Sequence, residues 1–334
     1  MNISLQAVVF AAALASQAQT PAGDLAEARR LIDAGDPRGA LRQLQVLRSD
    51  ADPDRRTKID LLLGVAHYHA DDPAKAVETL APIVERLAPG SIERREAEQV
   101  LGLSLFVTGR YADAVPRLEA TRLWAPENLE LAYALGQAYI QTQRADDARR
   151  ALAPVFGVAP DSAAAHLLVA QTMIRLEAES PAEAELQKAA AKDPKLPAVN
   201  QLLGQLALFR GRLDDAVQLT RRELAINPAN AMAFSQLGDA FVRQSKWDEA
   251  IAALRKSIWL NPYYSAPYIL LGRAYAKKDR PATAEAMFRQ AIQYDPNNRT
   301  AHYLLAQLLQ QLGRAEDAAR EFEIAEKLTG PRGR

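Results

Sequence analysis

Residues 231–262 read AMAFSQLGDAFVRQSKWDEAIAALRKSIWLNP, and residues 265–296 read SAPYILLGRAYAKKDRPATAEAMFRQAIQYDP. Shifted by 34, Leu237-Gly238 falls on Leu271-Gly272, Ala250 on Ala284 and Pro262 on Pro296. Self-similarity at such a period marks an array of small units that cannot fold alone and bury their apolar faces by stacking. Working outward, the same alanine recurs at Ala40, Ala76, Ala114, Ala148, Ala182, Ala216, Ala250, Ala284 and Ala318, always 34 apart from Ala114 onward. Twelve residues before each stands a small residue: Ala28, Gly64, Gly102, Gly136, Ala170, Gly204, Gly238, Gly272 and Ala306. Twelve after stands proline, at Pro126, Pro160, Pro194, Pro228, Pro262 and Pro296; at Pro53, Pro89 and Pro331 it falls one later.

This spacing predicts a helix A, a short turn and a helix B in every unit. Glycine inside a helix costs about 1 kcal/mol relative to alanine. A sequence that keeps it at six registers gains close approach of a neighbouring helix there. The recurring alanine of helix B is expected to be the small residue that faces it. Asp-Pro and Asn-Pro pairs at 193–194, 227–228, 261–262 and 295–296 end helix B, because proline cannot continue a helix and disfavours helical geometry before it.

The pattern resembles the tetratricopeptide repeat, with its Leu-Gly pair, later alanine, large residue four on and closing proline. The seventh copy carries Phe234, Leu237, Gly238, Phe241, Ala250, Leu254 and Pro262; the eighth carries Tyr268, Leu271, Gly272, Tyr275, Ala284, Phe288, Ala291 and Pro296. The resemblance implies an all-α, right-handed superhelical solenoid of antiparallel helix pairs. It covers residues 21–332 as nine repeats, approximately 21–54, 57–90, 95–128, 129–162, 163–196, 197–230, 231–264, 265–298 and 299–332. The first and last copies depart from it, with Glu27-Ala28 and Leu305-Ala306 in place of Leu-Gly. Glu326 stands where Leu224, Ile258 and Ile292 stand in earlier copies, so the array is expected to end near Leu328.

Ahead of the repeats, residues 5–15 form an uncharged apolar run followed by Ser16-Gln17-Ala18. The run is too short to span a membrane, which takes about 20 apolar residues. With small residues after it, it reads as a signal peptide over 1–18, although residues 1–4 carry no Lys or Arg. A cytoplasmic chain with an extra N-terminal helix is the alternative.

The 41 Lys+Arg balance 41 Asp+Glu, which leaves no global field to draw nucleic acid or an anionic membrane. About one residue in five is alanine, the best helix former. The absence of cysteine excludes disulfides, thiolate metal sites and a cysteine nucleophile.

No enzyme is expected, and no cofactor or metal. His67 and His69 are two apart and point to different faces of a helix, whereas helical ligand pairs sit three or four apart. His166 and His302 fall on the large-residue packing register of helix A. Acid pairs at Asp146-Asp147, Asp214-Asp215, Asp248-Glu249 and Glu316-Asp317 always precede the repeat alanine, where carboxylates favour the positive end of a helix dipole. No phosphate-binding glycine loop, nucleophile elbow or zinc spacing occurs.

In the family resembled, helix A lines a groove that receives extended peptides or partner helices. Carried onto this sequence, the groove holds Tyr68, Phe106 and Tyr133, then Gln137, Gln171 and Gln205 at one register with Gln141 nearby, then a basic stretch of Arg243, Arg273 and Lys277 with Asp239 beside it. Amides both donate and accept, so a glutamine ladder suits peptide backbone of any sequence; the cations suit a carboxylate. The Lys/Asn clamp that one subgroup uses for a C-terminal carboxylate has no counterpart. The expected function is a protein-interaction scaffold, periplasmic or secreted, that binds a protein or peptide without nucleic acid and without stable membrane insertion. Alternatives are an assembly component of a cell-envelope machine, or a regulatory or substrate-binding module of an enzyme complex.

Overall fold

The computed structural model describes residues 21–49 and 51–328; the leader reading at 1–18 and Pro331 lie outside them. Helices pair in chain order: α1 (Pro21–Asp33) with α2 (Pro37–Ser49), α3 (Pro53–His69) with α4 (Pro73–Leu80), α5 (Ile92–Val107) with α6 (Tyr111–Trp124), and α7 (Leu129–Gln141) with α8 (Ala145–Leu152). Then come α9 (Ala163–Arg175) with α10 (Glu179–Lys192), α11 (Val199–Phe209) with α12 (Leu213–Ile226), α13 (Ala231–Arg243) with α14 (Trp247–Leu260), α15 (Ser265–Lys277) with α16 (Pro281–Tyr294), and α17 (Arg299–Gln311) with α18 (Ala315–Lys327). No strand occurs among the described residues. The chain is an all-α helical-repeat fold. Its helices group into two compact units, α1–α8 and α9–α18. Within each, a helix packs on its pair partner and on the first helix of the next pair.

The glycine of helix A is a seat, but not for the alanine the spacing suggested. A Cβ at Gly64, Gly136, Gly238 or Gly272 would come within 2.3–2.4 Å of the side chain of Leu80, Leu152, Leu254 or Phe288. Gly102 is closed in the same way by Leu118 at 2.9 Å. The occupant is thus the large residue four after the alanine, one turn further along helix B. The nine alanines are buried as expected, but they clear room between helices rather than fill the hole. Gly204 departs, meeting the smaller Thr220 instead.

Local rules set the helix ends. Asn128, Ser162, Asn230 and Asn298 share one register and cap helix A, each accepting from the backbone N–H three residues on at 2.9–3.1 Å. Leu196 and Tyr264 hold that register in the two remaining copies of this series. Neither can cap. At Tyr264 no side-chain cap replaces it. After Leu196 the helix starts late at Val199, and the buried Glu223 of α12 accepts from the Ala198 N–H at 3.0 Å. Helix B is cut to eight residues in α4 and α8. Pro82 and Pro154, each six after the repeat alanine, have no N–H to continue the ladder.

Glu326 is exposed, while Leu224, Ile258 and Ile292 are partly buried. The acid pairs do open α8, α12, α14 and α18.

Every A–B turn hinges on one left-handed residue: Gly35, Asp71, Gly109, Gln143, Glu177, Gly211, Ser245, Asp279 and Gly313, with φ between 55° and 81°. The next residue's N–H reaches back to the carbonyl five before it, as in Lys246 to Phe241 at 2.9 Å, which closes a Schellman motif. A side chain in this conformation costs about 1–2 kcal/mol. Ser245→Gly is therefore expected to stabilise the chain by about 1 kcal/mol, and Gly211→Ala to destabilise it by a similar amount. Urea unfolding of the two variants beside the parent checks both signs.

Candidate functional site

From α7 onward, the residue after the register glycine or alanine of helix A keeps access to solvent between two buried neighbours, whereas Val65 at this register in α3 is buried. In α7 this is Gln137; in the second unit it is Gln171, Gln205, Asp239, Arg273 and Gln307. One turn later a second row is exposed: Gln141 on α7, then Arg175, Phe209, Arg243, Lys277 and Gln311. Gln307 and Gln311 repeat the register of Gln137 and Gln141 five copies on. The spacing that gave the shorter ladder already contained them.

The first unit keeps its aromatic candidates as separate local contacts. Tyr68 is half-buried and edge-on to His69, 5.5 Å between ring centres; burial, then Glu130 and Asp71, push its phenol up. Phe106 is edge-on to Tyr111 at 5.7 Å. Tyr133, with Gln137 one turn on, is half-buried on α7, and Gln141 is exposed.

The basic stretch is narrower than its sequence. Arg243 is held by Asp239 through two hydrogen bonds, Nε–Oδ1 at 3.0 Å and Nη2–Oδ2 at 2.9 Å, and donates through Nη1 to the Leu208 carbonyl at 3.0 Å. It ties α13 to the end of α11 and contributes no uncompensated charge. The i,i+4 spacing of Asp239 and Arg243 on one helix is the signal for this pairing. Arg273 and Lys277 have no hydrogen-bond or ion-pair partner among the described residues.

These two cations, one turn apart on α15, face a pocket of about 220 Å³. Gln307 and Gln311, one turn apart on α17, complete its polar rim. Trp247, Ala276, Phe288, Leu304 and Leu308 supply apolar lining. Gln307 donates to the Tyr303 hydroxyl at 3.2 Å, which orients its amide. Two free cations, two amides and an apolar lining suit a carboxylate beside an apolar side chain.

The buried histidines belong to the scaffold. His166 Nδ1 lies 2.7 Å from Glu185, and His302 Nδ1 lies 2.6 Å from Glu321, each 19 residues on in helix B. His302 Nε2 lies 3.0 Å from the Pro296 carbonyl. Tyr268, at the same register, donates its hydroxyl to the matching Pro262 carbonyl at 2.9 Å. These side chains pin the start of helix A to the preceding loop. Sequence reasoning also missed a polar seam at the A–B turns. The basic residue before helix B reaches the preceding copy, as Arg212 does to Glu183 at 2.5 Å and Arg314 to Glu285 at 2.9 Å. Exposed pairs of this kind contribute about 0–1 kcal/mol each. Among the described residues no group of three or more His, Asp or Glu could hold a metal ion.

Two family models described as tetratricopeptide repeat match the chain, one over residues 106–172 and 276–327, the other over 25–92 and 202–265. Together they cover about three quarters of it. No curated protein sequence matches. Similar solved structures include MamA from Desulfovibrio magneticus RS-1, with 21% identity over 50% of this chain and 95% of that one at a TM-score of 0.45. A thermophilic tetratricopeptide protein of Thermus thermophilus has 20% identity over 51% and 93%, also at 0.45. YrrB, described as a tetratricopeptide protein with an unusual peptide-binding site, has 17% identity over 52% and 89% at 0.42.

Proposed function

This chain belongs to the tetratricopeptide-repeat family, and from that premise we propose that it is a non-catalytic scaffold that holds a partner protein by an extended segment on its helix A face. The observation that carries the reading is the pocket between α15 and α17. Arg273 and Lys277 are uncompensated cations beside an apolar lining, with the Gln307 and Gln311 amides opposite. The segment it fits carries a carboxylate, from an acidic side chain or a chain end, next to an apolar residue. Gln171 and Gln205, free of hydrogen-bond partners among the described residues, offer amide donors and acceptors to the segment's backbone. In the first unit, Tyr68, Phe106, Tyr133, Gln137 and Gln141 offer a more apolar face of the same kind.

Charge-assisted hydrogen bonds to a carboxylate are the strong ones, and breaking one partner of such a pair costs about 2–5 kcal/mol. The double variant Arg273→Glu/Lys277→Glu is therefore expected to weaken a partner crosslinked to the parent chain in its host by at least tenfold. Arg243→Glu is expected to act on stability instead, since it breaks the Asp239 pair. A partner captured equally well by the double variant would remove the pocket from the account.

The apolar run at 5–15 and the small residues around Ala18 support export, with the array working in the periplasm or at the cell surface. Mass spectrometry of the protein from its host is expected to find the mature N-terminus near residue 19; retention of Met1 would contradict export by this route.

A further inference from the structure

Aromatic residues are sparse in this chain, at 6%, yet three of them break the repeat register within six residues. Trp259 stands where α12 and α16 place Ala225 and Gln293. Tyr263 stands where Ala229 and Asn297 stand. Tyr264 takes the capping position that Asn230 and Asn298 hold. The last exchange gives up a helix cap, a loss of the kind folded chains carry at functional sites. The rings are not buried in return. Trp259 is 73% exposed and Tyr263 is 77% exposed.

The two exposed rings are nevertheless held in place. Tyr263 packs edge-on against Tyr294 at 5.7 Å, and Tyr294 packs on the buried Tyr268 at 5.4 Å. The Lys256 ammonium sits 3.9 Å from the Trp259 ring centre. Basic residues gather one turn before Trp259 and at the matching turn of the preceding helix B. Arg255 and Lys256 lie one turn before Trp259 on α14, and Arg221 and Arg222 hold the same registers on α12. All four are exposed and have no ion pair among the described residues. The carboxylates of the two helices stand at their opposite ends, at Asp214, Asp215, Asp248 and Glu249, apart from Glu223, which is buried in the cap of α11.

We propose that this side of α12 and α14, with the loop after α14, rests on an anionic membrane surface. Arginine and lysine meet lipid phosphates, while Trp259 and Tyr263 lie at headgroup depth. Exposed tryptophan and tyrosine with basic neighbours is the composition that seats at a membrane–water interface. No helix among the described residues is long and apolar enough to cross a membrane, so the contact is peripheral. It uses the solvent side of helix B and leaves the helix A pocket open to a protein partner.

Sedimentation of the full chain with vesicles tests this. It is expected to bind vesicles of equal parts phosphatidylglycerol and phosphatidylethanolamine, not vesicles of phosphatidylcholine, and to bind less as salt screens the charges. One basic residue is worth about fivefold in partitioning, so Arg255→Glu/Lys256→Glu is expected to weaken binding by more than tenfold. Trp259→Ala is expected to weaken it several-fold and Trp259→Phe less, with circular dichroism unchanged in each because the side chains are exposed. A blue shift of tryptophan emission on binding is expected in the parent and absent in Trp259→Phe. Failure of the parent to sediment with the anionic vesicles would overturn the proposal, as would equal binding by the charge-reversed variant. So would a Trp259-dependent emission change with a polyglutamate peptide but not with vesicles, which would assign the face to an acidic protein segment.

Discussion

One contact recurs through this structure and orders the rest: a large side chain of helix B seated in the hole that glycine leaves on helix A. Leu80 over Gly64, Leu118 over Gly102, Leu152 over Gly136, Leu254 over Gly238 and Phe288 over Gly272 are the same contact five times. It brings the two helices into close approach, and all nine repeat alanines are buried. Within each unit a pair packs on helix A of the next, and from α7 onward one row of helix A stays open. In that row the residue after the register glycine or alanine stays accessible, while Val65 in α3 is buried.

Much of this was legible in the sequence, because a backbone that tolerates only glycine or alanine at a register leaves a trace that needs no structure to see. The identity of the seat's occupant was less legible. Spacing sets a register along each helix, but which residue of helix B lies opposite depends on how the two helices are offset, and the offset put the large residue, not the alanine, over the glycine. The turns were partly hidden for a related reason. Four of the nine left-handed positions are glycine and declare themselves; Asp71, Gln143, Glu177, Ser245 and Asp279 do not, since the Schellman hydrogen bonds hold them there.

The polar residues divide along the same line. Those that follow the register mostly serve the scaffold: asparagine caps, acids at the start of helix B, basic residues bridging neighbouring copies. Arg243 belongs with them, and its Asp239 partner four residues earlier was there to be read. The charge available to a ligand is what remains after such pairs are removed, which reduces the basic stretch to Arg273 and Lys277. Gln307 and Gln311 extend the amide row at the register already found. Trp259, Tyr263 and Tyr264 stand out for the opposite reason: they break the pattern that their neighbours keep, and the fold loses a cap there.

The dependence of the array on the glycine seat is open to a double-mutant cycle on Gly238 and Leu254. A Cβ at residue 238 would lie 2.4 Å from Leu254 Cγ, an overlap that costs about 1–3 kcal/mol. Gly238→Ala is expected to destabilise the parent but to be neutral or stabilising in a Leu254→Ala background, where alanine's helix propensity of about 1 kcal/mol is no longer opposed. Urea unfolding of the four proteins gives the coupling directly. A coupling of about 2 kcal/mol or more is the predicted result; additive effects of the two substitutions would show that the glycine is not a seat for this side chain.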